Sequence, residues 1–480
     1  MSTSTSTIDI AALEGGRVNL TLEQLDDLHS RVGGSLLRAG DEGWDDAVLV
    51  WNGMVARFPA LVVQPTSADD VAAAVAFARD HGLLLSIKGG GHNIAGTSIA
   101  EGGLTLDMSR MHEITVDPDA RVAHVGPGCL LKDVDRATQE RGLATVLGFV
   151  SEVGVAGLTL GGGLGYLARR FGWGVDNLEE VEIVTADSQI RTANREKNAD
   201  LFWALRGGGG NFGVVTRFTF RLHEVGPIVY GGLIAWPFAR ADEILRAYRT
   251  ITETAPRELA VWMILLSAPP LPFVPEEWQG RKMCAMVVCY SGDLDKTDEA
   301  LSPIRALGDP VVELLQEWPY TQQQSFLDEG EPKGAYYDMK TEYLAELNDG
   351  LLDAARDVFA ECPIPEGQVG FLHVGGALNE HDGDDGAVGN RDARFACGVI
   401  GMWEPGEPNA DAFRQWIRDG WARVRPFSTG HTYINFQGVD EGEERIRAAY
   451  GANFERLVEV KSKYDPDNLF RANRNIRPRG

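Results

Sequence analysis

A chain of 480 residues is longer than one ordinary hydrophobic core supports, so two domains are expected. A net charge of -25 argues against a partner held through a phosphate backbone, while 44% hydrophobic and 24% charged residues suit a globular enzyme. The five cysteines, at 129, 284, 289, 362 and 397, include no CxxC pair and are odd in number, which disfavours a structural zinc site and a disulfide framework.

The polar start Met1-Ser2-Thr3-Ser4-Thr5-Ser6-Thr7 lacks an apolar signal core, and no apolar run reaches the length of a membrane span, so a cytoplasmic protein is expected. The first 60 residues or so read as an arm with one helix over 21–37. Residues 58–65 form a short strand closed by Pro65. Ser67 has the spacing of an N-cap, with Asp70 three residues on. Val71, Ala74, Val75 and Ala78 mark the apolar stripe of a helix ending at His81-Gly82. Residues 83–87 are a strand that runs into the turn Gly89-Gly90-Gly91-His92. Further strands are expected at 104–107 and 122–125, the second leading through Gly126-Pro127-Gly128 to Cys129. A helix over 130–141 precedes a glycine-rich stretch, 154–165. Strands at 181–185 and 214–220 flank a helical turn at 200–205.

Beyond Gly226-Pro227 the pattern changes. Long strands at 259–267, 282–290, 370–378 and 395–403 alternate with amphipathic helices at 241–252, 296–307, 347–361 and 411–424. This suggests an antiparallel sheet covered on one side. Residues 382–386 read as a loop. The tail is helical, with Phe454, Leu457 and Lys461 on one face, and closes in the turn Tyr464-Asp465-Pro466-Asp467-Asn468.

Gly208-Gly209-Gly210-Asn211-Phe212-Gly213 matches GxGxxG, but the dinucleotide fingerprint needs a strand before it and a helix after it. Here the order is reversed, which disfavours a nicotinamide-binding βαβ unit. The glycines still let backbone N–H groups approach a pyrophosphate closely, as do Gly89 to Gly91 and Gly161 to Gly163. Alone, His92 reads equally as a structural histidine, and Cys129 as a small core residue. Together they are two nucleophiles in glycine turns behind apolar strands. That pairing suits a ligand tethered covalently at two points, and flavin is the leading candidate. On a strand, His431, Tyr433 and Asn435 would share one face, as would Phe371 and His373 on 369–374. Taken by itself, Tyr433 reads as a packing residue at a domain seam.

Several segments resemble, in order, the berberine-bridge-enzyme-like branch of the vanillyl-alcohol-oxidase, or PCMH-type, FAD-linked oxidoreductases. They are Lys88-Gly89-Gly90-Gly91-His92-Asn93, Gly128-Cys129, the runs 154–163 and 200–213, and Tyr464-Asp465-Pro466 with Asn468, Phe470, Asn473 and Asn475-Ile476. The resemblance runs from about residue 58 to the end. It implies an α+β fold of two domains: a discontinuous FAD domain, 1–226 with 430–480, and an antiparallel-sheet substrate domain, 227–429. It implies FAD linked through His92 at its C8 methyl and through Cys129 at C6. Cofactor contacts would come from Lys88, Gly89, Gly90, Gly91, Asn93, Gly128, Gly154, Val155, Gly157, Gly161, Gly162, Gly163, Gly213, Asn473 and Asn475, with no metal. Tyr433 would be the catalytic base and His373 would assist proton transfer. The implied reaction removes hydride from an alcohol or hemiacetal carbon of a sugar, glycosylated metabolite or aryl alcohol, and reduces O₂ to hydrogen peroxide. The alternatives are amine oxidation, oxidative ring closure of a secondary metabolite, or flavin binding without catalysis. The partners expected are a small molecule and O₂, with neither nucleic acid nor membrane.

Overall fold

The computed structural model describes residues 7–381 and 385–479. Most of the polar start, and positions 382–384 of the expected loop, lie outside the described residues. Among the described residues, no helix is long and apolar enough to cross a membrane.

The N-terminal stretch is not an arm. Thr7–Ala11 pairs antiparallel with Arg17–Thr21, and the fully buried Ile10 and Leu20 join one core with Val71, Val75 and Leu85. The expected helix over 21–37 is shorter, Leu22–Arg31, capped by Thr21, whose hydroxyl accepts from the Gln24 N–H at 3.3 Å. It stops because Val32 turns extended, and Ser35–Leu37 becomes a strand paired with Leu61–Gln64.

That pair begins a four-stranded sheet in the order Ser35–Leu37, Leu61–Gln64, Leu104–Asp107, Leu85–Lys88, the last three parallel. The helix Ala68–Asp80 makes the crossover, capped as expected by Ser67 accepting from the Asp70 N–H at 3.2 Å. A second, five-stranded antiparallel sheet runs Ile190–Asn194, Leu178–Val184, Val214–Arg221, Val122–Val125, Ile114–Asp117. The helix Ala199–Leu205 precedes the GxGxxG turn and Val214–Arg221 follows it, which is the reversed order that excludes a dinucleotide βαβ unit.

The middle of the chain builds a seven-stranded antiparallel sheet. Its order is Val312–Pro319, Ile228–Pro237, Lys282–Tyr290, Leu259–Ser267, Gln368–His373, Phe395–Trp403, Tyr336–Leu344. The strand expected at 370–378 begins earlier and ends at His373, where the chain breaks into Gly375-Gly376, the second at φ +88°. Period-2 alternation decides the two faces. Val261, Met263, Met286, Val369, Phe371 and Val399 face the helices Ala241–Thr254, Asp349–Ala360 and Ala410–Val424. The alternate residues, such as Trp262, Ile264, Gly370 and Leu372, face a cavity.

The tail returns to the first half of the chain. On the helix Phe454–Tyr464, Lys461 is fully buried and donates to the Asn211 carbonyl (2.8 Å), Asp465 (2.6 Å) and the Phe470 carbonyl (2.9 Å). Asp465 in turn accepts from the Leu469 and Phe470 N–H groups. One buried ion pair therefore fastens the C-terminal turn to the Gly209–Asn211 turn. Replacing Asp465 with Ala leaves an uncompensated buried ammonium, expected to cost about 3–5 kcal/mol. A urea midpoint unchanged from the parent protein would refute this.

Candidate active site

The cavity lies between the glycine turns of the first half and the open face of the seven-stranded sheet. Its volume of about 1230 Å³ exceeds the ~300–1,000 Å³ usual for a drug-sized ligand, leaving room for a large cofactor and a substrate together.

The floor is set by a close approach of backbones. A Cβ on Gly90 would fall 2.5 Å from the Gly154 Cα, and one on Gly154 would fall 2.3 Å from the Gly90 nitrogen. Only glycine at both positions lets the turn after Leu85–Lys88 lie against the start of the helix Val155–Leu160. Around Gly157 and Gly210, by contrast, a Cβ would meet open space, and both border the cavity, so there the missing side chain is room for a guest. Gly89, Gly91, Asn93, Gly161, Gly213 and Asn473 also line it.

His92 is on this wall. Its ring stacks on Trp51 with centroids 4.3 Å apart, and Trp51 stacks on Tyr337 at 3.7 Å. Its Nε2 is buried and has no hydrogen-bond partner. Burial lowers the imidazole to about 4, so at neutral pH it is uncharged and keeps a nitrogen lone pair. Asn52 holds the neighbourhood together. Its Nδ2 donates to the Ile94 carbonyl (2.9 Å) and the Tyr337 carbonyl (3.0 Å), and its Oδ1 accepts from the N–H of Tyr337 (3.1 Å). No local pattern in the sequence marks Trp51-Asn52, which falls in the supposed arm.

Several expected cofactor contacts sit behind the wall instead. Cys129 is the main correction. It is fully buried, its sulfur is 3.9 Å from the Glu113 carbonyl, and it does not border the cavity. The Val155 N–H donates to the Cys129 carbonyl at 3.0 Å, which puts the cysteine one layer beneath Gly154. Val150, an apolar residue with no nucleophile, occupies the wall nearby. Burial, with Asp133 adding to it, pushes the Cys129 thiol up to about 12, so it stays protonated and inert. Lys88 turns away to a buried ion pair with Asp107 at 3.3 Å. Gly128 packs on the Met108 carbonyl, and Val155 is core. Gly162 and Gly163 lie behind the wall, their N–H groups donating to the Thr159 carbonyl and the Tyr433 hydroxyl at 2.8 Å each. Asn475 is likewise off the wall.

His373 is corrected too. Its strand presents Gln368, Gly370 and Leu372 to the cavity, so Val369, Phe371 and His373 face the other way. There it stacks on Phe395 at 5.2 Å, and burial takes its imidazole down to about 2. It can neither reach a guest nor carry a proton at neutral pH.

Tyr433 does line the cavity, but not from a strand: it precedes the one-turn helix Ile434–Phe436. That turn still brings Asn435 to it. The phenol oxygen accepts from the Gly163 N–H (2.8 Å) and from Asn435 Nδ2 (2.9 Å). Burial nonetheless raises its pKa above the ordinary tyrosine range, outweighing both donors, and no cation lowers it.

The features fit a flavin dinucleotide. A glycine-floored cavity of that volume, with an uncharged imidazole on its wall, has room for one. The class defined by this fold and site is the flavin-binding oxidoreductase. A family model described as FAD binding domain matches residues 59–194, and one described as berberine and berberine like matches 432–477. An FAD-linked oxidoreductase of Dictyostelium discoideum is 31% identical over 93% of this chain and 95% of its own length. The (R)-6-hydroxynicotine oxidase of Paenarthrobacter nicotinovorans is 29% identical over 93% and 97%. Among solved structures, the glucooligosaccharide oxidase of Acremonium strictum superposes with a TM-score of 0.85 at 24% identity, covering 95% of this chain and 98% of that one. The chain belongs to the berberine-bridge-enzyme-like FAD-linked oxidoreductases.

The burial of Cys129 gives a direct expectation. In the native protein at pH 8, iodoacetamide leaves Cys129 unmodified, and alkylation requires denaturant. Peptide mapping that finds it alkylated without denaturant would contradict the placement.

Proposed function

We propose that this protein is an FAD-dependent oxidase whose flavin is attached through His92 alone, and that it oxidises a carbon bearing an amine or hydroxyl on a bulky, mainly apolar molecule, with O₂ as acceptor. The observation that carries this is the imidazole of His92, uncharged at neutral pH, on the wall of a cavity roofed by Trp262, Ile264, Leu372 and Ile400. FAD, when bound, supplies a two-electron acceptor for the hydride and returns those electrons to O₂.

The chain's own residues do the rest. Gly89 to Gly91, Gly157, Gly210 and Gly213 offer backbone to the cofactor without Cβ obstruction. The Trp51 and Tyr337 rings fix the imidazole plane. The roof excludes water and positions the substrate, a large part of any rate acceleration. Tyr433 holds its proton at Oη. An alcohol substrate would need Tyr433 as base, and burial opposes that, whereas a neutral amine gives up hydride without a strong base. This observation favours the amine branch over sugar oxidation, as does a roof with few polar groups to grip a carbohydrate.

Intact-mass analysis of denatured protein is expected to show the chain heavier by one FAD in the parent and in Cys129→Ser, and unmodified in His92→Ala. A parent chain weighing only its amino acids, or a Cys129→Ser chain without flavin, would end this reading. Tyr433→Phe is expected to slow anaerobic bleaching of the yellow colour by amines less than about tenfold. A loss of about 10²–10⁴-fold, the usual worth of a general base, would restore Tyr433 to that role.

A further inference from the structure

We infer that the substrate amine enters protonated and that Glu331 is the counter-ion that receives it, its carboxylate then taking the ammonium proton so that the amine is neutral when hydride leaves. The inference rests on the oxidase reading above and names the chemistry of its guest. Glu331 follows the one-turn helix Asp328–Gly330 and lines the cavity. Its place is fixed from two sides. Its own carbonyl accepts from the Trp51 indole N–H at 3.1 Å, beside the His92 stack. Three residues earlier, Asp328 accepts from the N–H and the hydroxyl of Ser151, at 2.8 and 2.6 Å.

The carboxyl so positioned has no partner among the described residues. No ion pair or hydrogen bond reaches it, although the surface around the protein is rich in both. The wall beside it is Phe326, Leu327 and Tyr337. Glu331 is half-buried, and desolvation by the apolar wall pushes its carboxyl up to about 8, so it holds its proton at neutral pH until a cation pairs with it. An isolated charge in apolar surroundings is costly unless something pairs with it. The described lining residues supply no candidate: the one lysine or arginine among them is Arg474, on the tail, already donating to the Gln437 and Gly438 carbonyls.

A guest must therefore bring the cation. The sign of the whole molecule agrees, since a net charge of -25 draws cations toward it and repels anions. Two more carboxylates, Glu329 and Glu366, stand exposed among the lining residues. The apolar roof fits the rest of the guest. An ammonium on a hydrophobic body matches both halves of the wall, whereas a neutral polyol matches neither and a carboxylate would be repelled.

The test uses the yellow holoenzyme under anaerobic conditions, titrated with phenethylamine, its isosteric alcohol 2-phenylethanol, and phenethyltrimethylammonium. Binding is read as a perturbation of the flavin absorbance. We expect both cations to bind at least about tenfold more tightly than the alcohol. In Glu331→Gln that preference should disappear, while flavin content and affinity for the alcohol stay as in the parent. In Glu329→Gln, which removes the same charge from an exposed neighbour, the preference should persist. Cations that bind no better than the alcohol in the parent, including binding by none of the three, would overturn the inference, as would a preference that survives in Glu331→Gln. Protein that carries no flavin would instead defeat the oxidase reading beneath it.

Discussion

Everything in this site depends on two backbones touching where Gly90 meets Gly154. One belongs to the turn that presents His92, the other to the segment that caps the short helix Val155–Leu160. Any Cβ at either position would force them apart. The contact fixes the height of the floor, buries Cys129 beneath it and exposes Gly157 above it. Which layer each occupies, and not intrinsic nucleophilicity, thus separates His92 on the cavity wall from Cys129 behind it.

The roof obeys a separate rule. Its sheet is antiparallel and clothed by helices on one face, so strict alternation assigns each residue to the helix core or to the cavity. Nothing in the chemistry of His373 told which side it would take. Its register partners did: it shares a face with Val369 and Phe371, whose bulk belongs under the helices. A one-residue shift would have reversed every assignment.

Much of this was legible in the amino-acid sequence. The helix Ala68–Asp80 with its Ser67 cap, the strand entering the His92 turn, and the reversed order around the GxGxxG segment all follow from short-range patterns. The one-sided sheet followed from long half-apolar runs. What could not be read were contacts between distant segments. Glycine at 90 and at 154 signals freedom at each place but not that the two meet. Cys129 beside a glycine looks like a nucleophile in a turn, and only the packing behind Gly154 shows it is core. Trp51 and Asn52 carry no local signal because their partners, His92 and Tyr337, are far off in the chain. Glu331 was invisible for the same reason, since an unpaired carboxylate is defined by its surroundings. The strands Ile114–Asp117, Ile228–Pro237, Val312–Pro319 and Tyr336–Leu344 escape a reading by pattern because several carry charged or glycine-rich stretches at the sheet margins.

The bridge made by Asn52 carries one more consequence. Its amide bonds at once to the segment after His92 and to the margin strand of the roof. The two jaws of the site are thereby pinned at a set spacing on that side. Widening the site there would break hydrogen bonds of Asn52.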